Sequence, residues 1–470
     1  MTDIIIKKLS DSKGARWTAL LIVSFTMMMG YFLTDVMSPL ENMLETSCAQ
    51  GGMGWTSSEY GFFSGSYGII NVYLFMLFFG GIILDKMGIR FTGSMASSLM
   101  VIGAFIKFYA IAYISPEGTT YVNLPMFGLD HVMVKNQMLL ASLGFSIFGV
   151  GCEITGITVS KIITKWFTGH ELALAMGIQV ALARLGTAGA LSISVPIAKS
   201  FSLSTPILFG ASMLCIGLLA FFTYCIMDKK LDASTDAINA RNNTEEEEGF
   251  KFKDLGLIFK NPGFWLITLL CLLFYSGVFP FLKFATKLMI YKYGVNETWA
   301  GNIPAILPFG TILLTPLFGS IYDRIGKGAN LMIIGSVMLA AVHIVFALPI
   351  LNTGFFAIIF MVILGVAFSL VPSAMWPSVP KIIPMKQLGS AYAIIFYIQN
   401  IGLTMVPMLI GHVLEKYSKQ TLPNGITTYD FTIPMMIFAV FGIVAIILAV
   451  SLKVLDSKKH YGLQQANVKK

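Results

Sequence analysis

Gly81-Ile82-Ile83-Leu84-Asp85-Lys86-Met87-Gly88-Ile89-Arg90 closes one long apolar run, and Gly319-Ser320-Ile321-Tyr322-Asp323-Arg324-Ile325-Gly326-Lys327 closes another. Both read G-x-x-x-D-[KR]-x-G. Each follows the second apolar segment of its own half of the chain. One copy of so short a pattern carries little, but two copies at corresponding places divide the chain in two. Further echoes agree. Val159-Ser160-Lys161-Ile162-Ile163 answers Val379-Pro380-Lys381-Ile382-Ile383, and Gly186 answers Gly402, with Arg184 opposite Asn400. Repeats of this kind mark a transporter whose site lies between its halves.

Composition sets the solvent. Of the 470 residues, 56% are hydrophobic and only 12% are charged, about half the share typical of soluble domains. Polar surface is too scarce to coat such a molecule in water, so lipid covers much of it. Twelve apolar stretches are long enough to cross a bilayer: 17–45, 58–84, 91–114, 136–164, 171–198, 204–227, 262–291, 298–322, 329–350, 354–383, 387–415 and 431–454. The expectation is an all-α integral membrane protein with twelve transmembrane helices in two pseudo-symmetric six-helix bundles. The first bundle is 1–227. A polar cytoplasmic linker, 228–261, carries Asn242-Asn243-Thr244 and the acidic run Glu245 to Glu248. The second bundle and a tail fill 262–470. The first apolar run is too long for a signal peptide and reads as a retained span.

The basic residues give an orientation. With both termini cytoplasmic, Lys135, Lys199, Lys292, Lys416 and Lys419 fall outside, and Lys107, Arg184, Lys283 and Lys287 fall within spans. All the others of the 32 Lys and Arg lie inside, as the positive-inside rule requires. That placement accounts for the net charge of +8 and leaves no role for nucleic acid. The five cysteines are scattered, with no CxxC pair or Cys/His cluster, so neither metal nor disulfide framework is expected.

A charged side chain at mid-membrane costs about 2.5–3.5 kcal/mol even on a mild insertion scale, so it faces a cavity or a partner. Glu153, in Gly149-Val150-Gly151-Cys152-Glu153, and Arg184, in Ala183-Arg184-Leu185-Gly186, stand at similar depth. At 1.5 Å per residue they lie roughly 18 and 21 Å from the cytoplasmic ends of their spans. They are an ion-pair candidate in the empty state. One reading is a structural pair that fixes two spans. The other is a zwitterion site, Glu153 taking an ammonium and Arg184 a carboxylate in its two-donor fork. Asp35, Lys283, Tyr31, Trp376 and Asn400 complete the candidate substrate set. Pro280, before Lys283, is expected to break span seven and to gate the outer mouth. Lys287 is expected to snorkel, Lys107 to snorkel or pair locally, and His343 to be a hydrogen-bonded core residue.

The paired loop motif resembles that of the major facilitator superfamily. The resemblance implies that Asp85, Arg90, Asp323 and Arg324 gate the cytoplasmic side, with Asp85 or Asp323 meeting a helix N-terminus of the other half. Gly149-Val150-Gly151-Cys152-Glu153, Ala183-Arg184-Leu185-Gly186, Val278-Phe279-Pro280-Phe281, Trp376-Pro377, Gln387-Leu388-Gly389-Ser390-Ala391-Tyr392 and Gln399-Asn400-Ile401-Gly402-Leu403 look like a narrower branch, the lysosomal dipeptide transporter family. That resemblance implies dipeptides held by Glu153 and Arg184, facilitated movement, and no enzyme chemistry or cofactor.

Short loops and a Lys-rich tail make a bacterial inner membrane the expected setting, with a lysosomal membrane the alternative, and a monomer the expected state. The competing functions are an organic-anion (dicarboxylate) exchanger, in which Arg184 and Lys283 would clamp two carboxylates, a proton-coupled symporter, and a non-transporting membrane receptor or scaffold. Glu153 argues against the exchanger, because it adds negative charge to the same site.

Overall fold

A computed structural model describes residues 9–239, 255–384, 387–423 and 427–466. The first half contains α1 (Lys13–Asp35), α2 (Glu41–Glu45), α3 (Ser57–Ser66), α4 (Ile69–Tyr73), α5 (Met76–Tyr113), a hairpin of β1 (Thr119–Leu124) and β2 (Leu129–Lys135), α6 (Asn136–Phe167), α7 (Leu172–Ser200) and α8 (Thr205–Asn239). The second half contains α9 (Leu255–Phe259), α10 (Pro262–Tyr291), α11 (Glu297–Ala300), α12 (Asn302–Ile325), α13 (Gly328–Ala347), α14 (Gly354–Ile382), α15 (Leu388–Val413), a hairpin of β3 (Lys419–Thr421) and β4 (Thr427–Tyr429), and α16 (Thr432–Lys459). Helix starts are written in the sequence. Thr56 and Glu59 form a reciprocal capping box on α3, and Asn261 caps α10 with Pro262 in its first turn, both standard ways to satisfy or remove the orphan N–H groups.

Among the described residues, 11 helices are long and apolar enough to cross a membrane, so the expected count of twelve is not exact. The difference lies in the second span. In place of one helix over 58–84, the chain forms α3, then α4, then the start of α5. Tyr67-Gly68 interrupts it first, and Phe75, at φ 53°, interrupts it again. Helix α5 then runs on for 38 residues, which would measure about 57 Å if straight, nearly twice a hydrocarbon core. Gly88 resolves this with φ 78° and ψ 171°, a conformation that glycine adopts at little cost. The G-x-x-x-D-K-x-G motif is therefore the corner between two crossings.

Two other expectations are corrected. Helix α10 is continuous through Pro280, so span seven is not broken here. Helix α8 continues past 227 to Asn239, because Asp228 and Asp232 on that extension bind Arg90 and Lys165. The Glu245 to Glu248 run lies outside the described residues.

Glycines bring the halves together. A Cβ on Gly61 of α3 would stand 2.6 Å from the Pro407 carbonyl oxygen and 2.8 Å from Gly411 Cα of α15. Backbone meets backbone there, as small residues permit in membrane helices. Polar contacts between the halves gather at the same end of the bundle, the end carrying both hairpins. Asn42 donates to Glu297 at 2.6 Å, and Tyr291 donates to Asn42 at 2.7 Å. The Ser57 amide donates to Glu415 at 2.9 Å, and Lys199 pairs with Glu297 at 2.6 Å.

Candidate functional site

Glu153 stands on α6 one turn beyond Gly149. A Cβ on Gly149 would collide with the Tyr67 carbonyl oxygen. The glycine thus admits the interrupted backbone of the second span, and the interruption delivers Tyr67 to the carboxylate. Its hydroxyl donates to Glu153 Oε1 at 2.9 Å. The Tyr67 ring is braced by Phe145 and Phe148. Glu153 itself is half-buried, and its other oxygen has no protein partner among the described residues.

Arg184 stands on α7, where Gly186 lets the backbone of α1 approach at Met28. Its guanidinium carbon lies 5.1 Å from the ring centre of Phe279, 5.2 Å from that of Phe368 and 5.9 Å from that of Tyr31. Phe279 is on α10 and Phe368 on α14, so Arg184 reaches across the seam between the halves. Cation–π attraction holds the guanidinium among these rings. Its edge donors make no hydrogen bond or ion pair among the described residues.

The ion pair expected between Glu153 and Arg184 is not formed. Matched depth does not fix azimuth, and each charge has a local partner that turns it elsewhere: the Tyr67 hydroxyl for one, aromatic faces for the other. Tyr31 stands beside Arg184, its ring centre 5.9 Å from the guanidinium carbon. The wall continues through Tyr275, which accepts a hydrogen bond from Trp376 Nε1 at 2.9 Å. Trp376 stacks on Phe396, with ring centres 4.9 Å apart. Asn400 is buried, its Nδ2 donating to the Phe396 carbonyl at 3.0 Å while its Oδ1 has no partner.

Asp35 and Lys283 sit elsewhere. Lys283 Nζ, on α10, binds Asp35 at 2.6 Å and the Thr34 carbonyl at 2.7 Å, both at the end of α1. Tyr60 donates to the Lys283 carbonyl at 3.0 Å. These contacts tie α1 and α3 of the first half to α10 of the second. Lys287 does not snorkel. It is 1% exposed and pairs with Glu41 and Glu45. Lys107 is also fully buried, donating to the Leu33 carbonyl at 2.7 Å over the Phe145 ring. Both lysines have acceptors within reach, so burial costs them less than a stretch to the interface. His343 packs against Phe281 and Phe438 and shares a hydrogen bond with the Gly277 carbonyl at 2.9 Å, as expected of a core histidine.

At the opposite end, Asp85 pairs with Lys161 of its own half at 2.7 Å. Arg90 binds Asp228 and Asp232 of α8 at 3.1 and 2.6 Å. Asp228 also accepts from Lys165, Trp166 and Tyr224, which ties α5, α6 and α8 together. Asp323 is half-buried and Arg324 exposed. The Asp85 contact expected with a helix N-terminus of the other half is not made in this conformation.

Sequence reasoning missed Tyr67, Tyr275, Phe368, Glu41 and Glu45. Tyr67 had a signal, as the one large residue among Ser64, Gly65, Ser66 and Gly68. Glu41 and Glu45 had another, since their four-residue spacing matches Lys283 and Lys287.

Comparison with known proteins agrees with this architecture. The Major Facilitator Superfamily family model matches residues 20–407 and 285–468. The lysosomal dipeptide transporter MFSD1 of Bos taurus is 26% identical over 72% of this chain and 68% of its own length. The Homo sapiens protein of the same name is 24% identical over 85% and 80%. Among solved structures, the inward open xylose transporter XylE from E. coli superposes with a TM-score of 0.68 at 15% identity, covering 93% of this chain and 95% of that one. A bacterial homolog of the human lysosomal transporter Spinster, inward-facing and occupied, gives 0.66 at 13% identity, covering 97% and 100%. The chain is a multi-pass membrane transporter, not an enzyme, and it belongs to the major facilitator superfamily.

Proposed function

We propose that the chain moves small zwitterionic peptides, most simply dipeptides, across the membrane by alternating access. The observation that carries this reading is that Glu153 and Arg184 are held apart, each with part of its charge uncommitted. Tyr67 occupies one oxygen of Glu153 and leaves the other for an ammonium. Aromatic rings hold the Arg184 guanidinium, and its N–H donors are left for a carboxylate. A peptide spanning the two would exchange water for one counter-charge at each end, in a space walled by Tyr31, Tyr275 and Trp376. Asn400, with its unpartnered Oδ1, would accept from the peptide amide. The MFSD1 relatives, described as dipeptide transporters, support the same substrate class.

The dicarboxylate reading loses its second cation, because Lys283 is committed to Asp35. In our reading Asp35 and Lys283 form the roof of the site. In our reading both termini are cytoplasmic and the hairpin end faces outside, which the positive-inside distribution supports, and the membrane is a bacterial inner membrane. The conformation is then closed outside, and Asp85, Arg90, Asp323 and Arg324 form the gate of the other face. The deciding screen is thermal shift of the purified protein with dipeptides, single amino acids and dicarboxylates, since a ligand of the folded state raises its melting temperature. Dipeptides should shift it most. A shift with dicarboxylates alone would replace this reading.

A further inference from the structure

Below the β3–β4 hairpin the two halves share a buried charge cluster. Lys287, from α10, makes a short contact with Glu45 and donates to Ser57 Oγ at 2.9 Å. Glu45 is fully served: it also accepts from Ser57 Oγ at 2.7 Å and from the Tyr429 hydroxyl at 2.8 Å. Lys287 and Glu45 form a neutral, hydrogen-bonded pair under the Tyr429 ring. A second carboxylate remains. Glu41, one turn away on α2, is 1% exposed. Its Oε1 is 3.3 Å from Lys287 Nζ, yet neither of its oxygens has a hydrogen-bond partner. The other titratable groups in its field are Tyr60 of α3 and Tyr291 of α10, neither of which brings a positive charge.

One ammonium cannot neutralise two buried carboxylates, and an ionised carboxylate without hydrogen bonds in a dry site is strongly disfavoured. We propose that Glu41 is a proton-binding site, loaded when the two halves seal at this end and emptied when they part. The donors and acceptors come from opposite sides of the seam. Lys287 and Tyr429 belong to the second half, and Glu41, Glu45 and Ser57 to the first. Separation admits water to all of them, and Glu41 returns to an ordinary carboxylate. Sealing therefore takes up one proton from the compartment on that face, and opening returns it there. Glu41 lies outside the spanning helices, and burial raises its carboxyl above the usual carboxylate range against the pull of Lys287. The sign follows. The sealed state is favoured below that raised value and loses ground as pH rises through it. Below the ordinary carboxylate range the advantage no longer grows, because both states are protonated. Between those limits the sealed-to-open ratio changes by up to about tenfold per pH unit, the linkage of one proton. This inference does not depend on the identity of the substrate.

The test is the distance distribution between spin labels on Glu117→Cys and Asn352→Cys, two exposed positions at this end in opposite halves, with the five native cysteines replaced. In the otherwise native chain the short-distance, sealed population should fall as pH rises. Glu41→Gln, which mimics the protonated acid, should stay sealed at every pH. Glu45→Gln, which takes the charge partner from Lys287, should favour the open population throughout. A native distribution that does not respond to pH, or a Glu41→Gln variant that opens, would overturn the proposal. Should Glu41→Gln fail to fold, infrared spectra of the native protein decide. A protonated carboxylic acid band should titrate together with the distances, and its absence in the sealed state would refute the assignment.

Discussion

The hydroxyl of Tyr67 donates to Oε1 of Glu153 at 2.9 Å, from a backbone that can stand there only because residue 149 is glycine. The interruption of the second span, a cost in helix hydrogen bonds, thereby orients the carboxylate proposed to receive the substrate's ammonium. Tyr67→Phe keeps the ring against Phe145 and Phe148 and removes only this donor. A hydrogen bond to a charged group contributes about 1.5–3 kcal/mol, so dipeptide affinity should fall roughly tenfold to a hundredfold by calorimetry. Peptides acetylated at the N-terminus, which do not use Glu153, should lose little. An equal loss for both would show that Tyr67 supports the fold rather than the carboxylate.

Gly149→Ala tests the same contact from below. The new methyl would overlap the Tyr67 carbonyl, an overpacking that costs about 1–3 kcal/mol. Both the melting temperature and dipeptide affinity should drop. Gly156→Ala on the same helix is the control, since its Cβ would meet only Met27 Cε at an ordinary 3.7 Å, and it should change neither.

The roof depends on the pair of Lys283 and Asp35, which joins the halves at 2.6 Å. Lys283→Ala leaves Asp35 buried without its counter-charge, a loss of about 3–5 kcal/mol for such pairs. The sealed end should loosen, and a cysteine placed at Thr34 should react faster with a membrane-impermeant thiol reagent added on that side. Peptide binding should persist. An unchanged labelling rate would remove Lys283 and Asp35 from the seal.

Asp85→Asn and Asp323→Asn address the other face. Asp85 pairs with Lys161 while that face is free of cross-half contact through Asp85, so its role as a latch belongs to the opposite conformation. Transport rate in vesicles should fall much more than binding affinity in detergent. Loss of binding in folded protein would show that these residues serve the pocket instead.

The sequence carried the halves, the two corner motifs and the charges at mid-depth, because composition, repeat position and rise per residue are all local or one-dimensional. The interrupted second span was not legible. Its small residues, Ser64, Gly65, Ser66 and Gly68, permit a break without requiring one, and the cause is a tertiary contact, the approach of Tyr67 to Gly149. The partners of Glu153 and Arg184 were misjudged for a related reason. Depth along a helix follows from residue number, but the direction a side chain faces depends on packing. Lys287 shows the converse case. Near a helix end it resembles a snorkelling lysine, and only the folded chain brings Glu41 and Glu45 to it.

The central claim is that Glu153 and Arg184 hold opposite ends of a zwitterionic peptide, and isothermal titration with one dipeptide in free, C-terminally amidated and N-acetylated forms tests it most directly. Removing one counter-charge strands a substrate charge in a poorly hydrated space, a loss of about 2–5 kcal/mol. Arg184→Ala should abolish binding of the free and acetylated peptides while changing the already weak binding of the amide little. Glu153→Gln should do the mirror image, sparing only the acetylated peptide. Equal losses across all three forms in both variants would contradict the account.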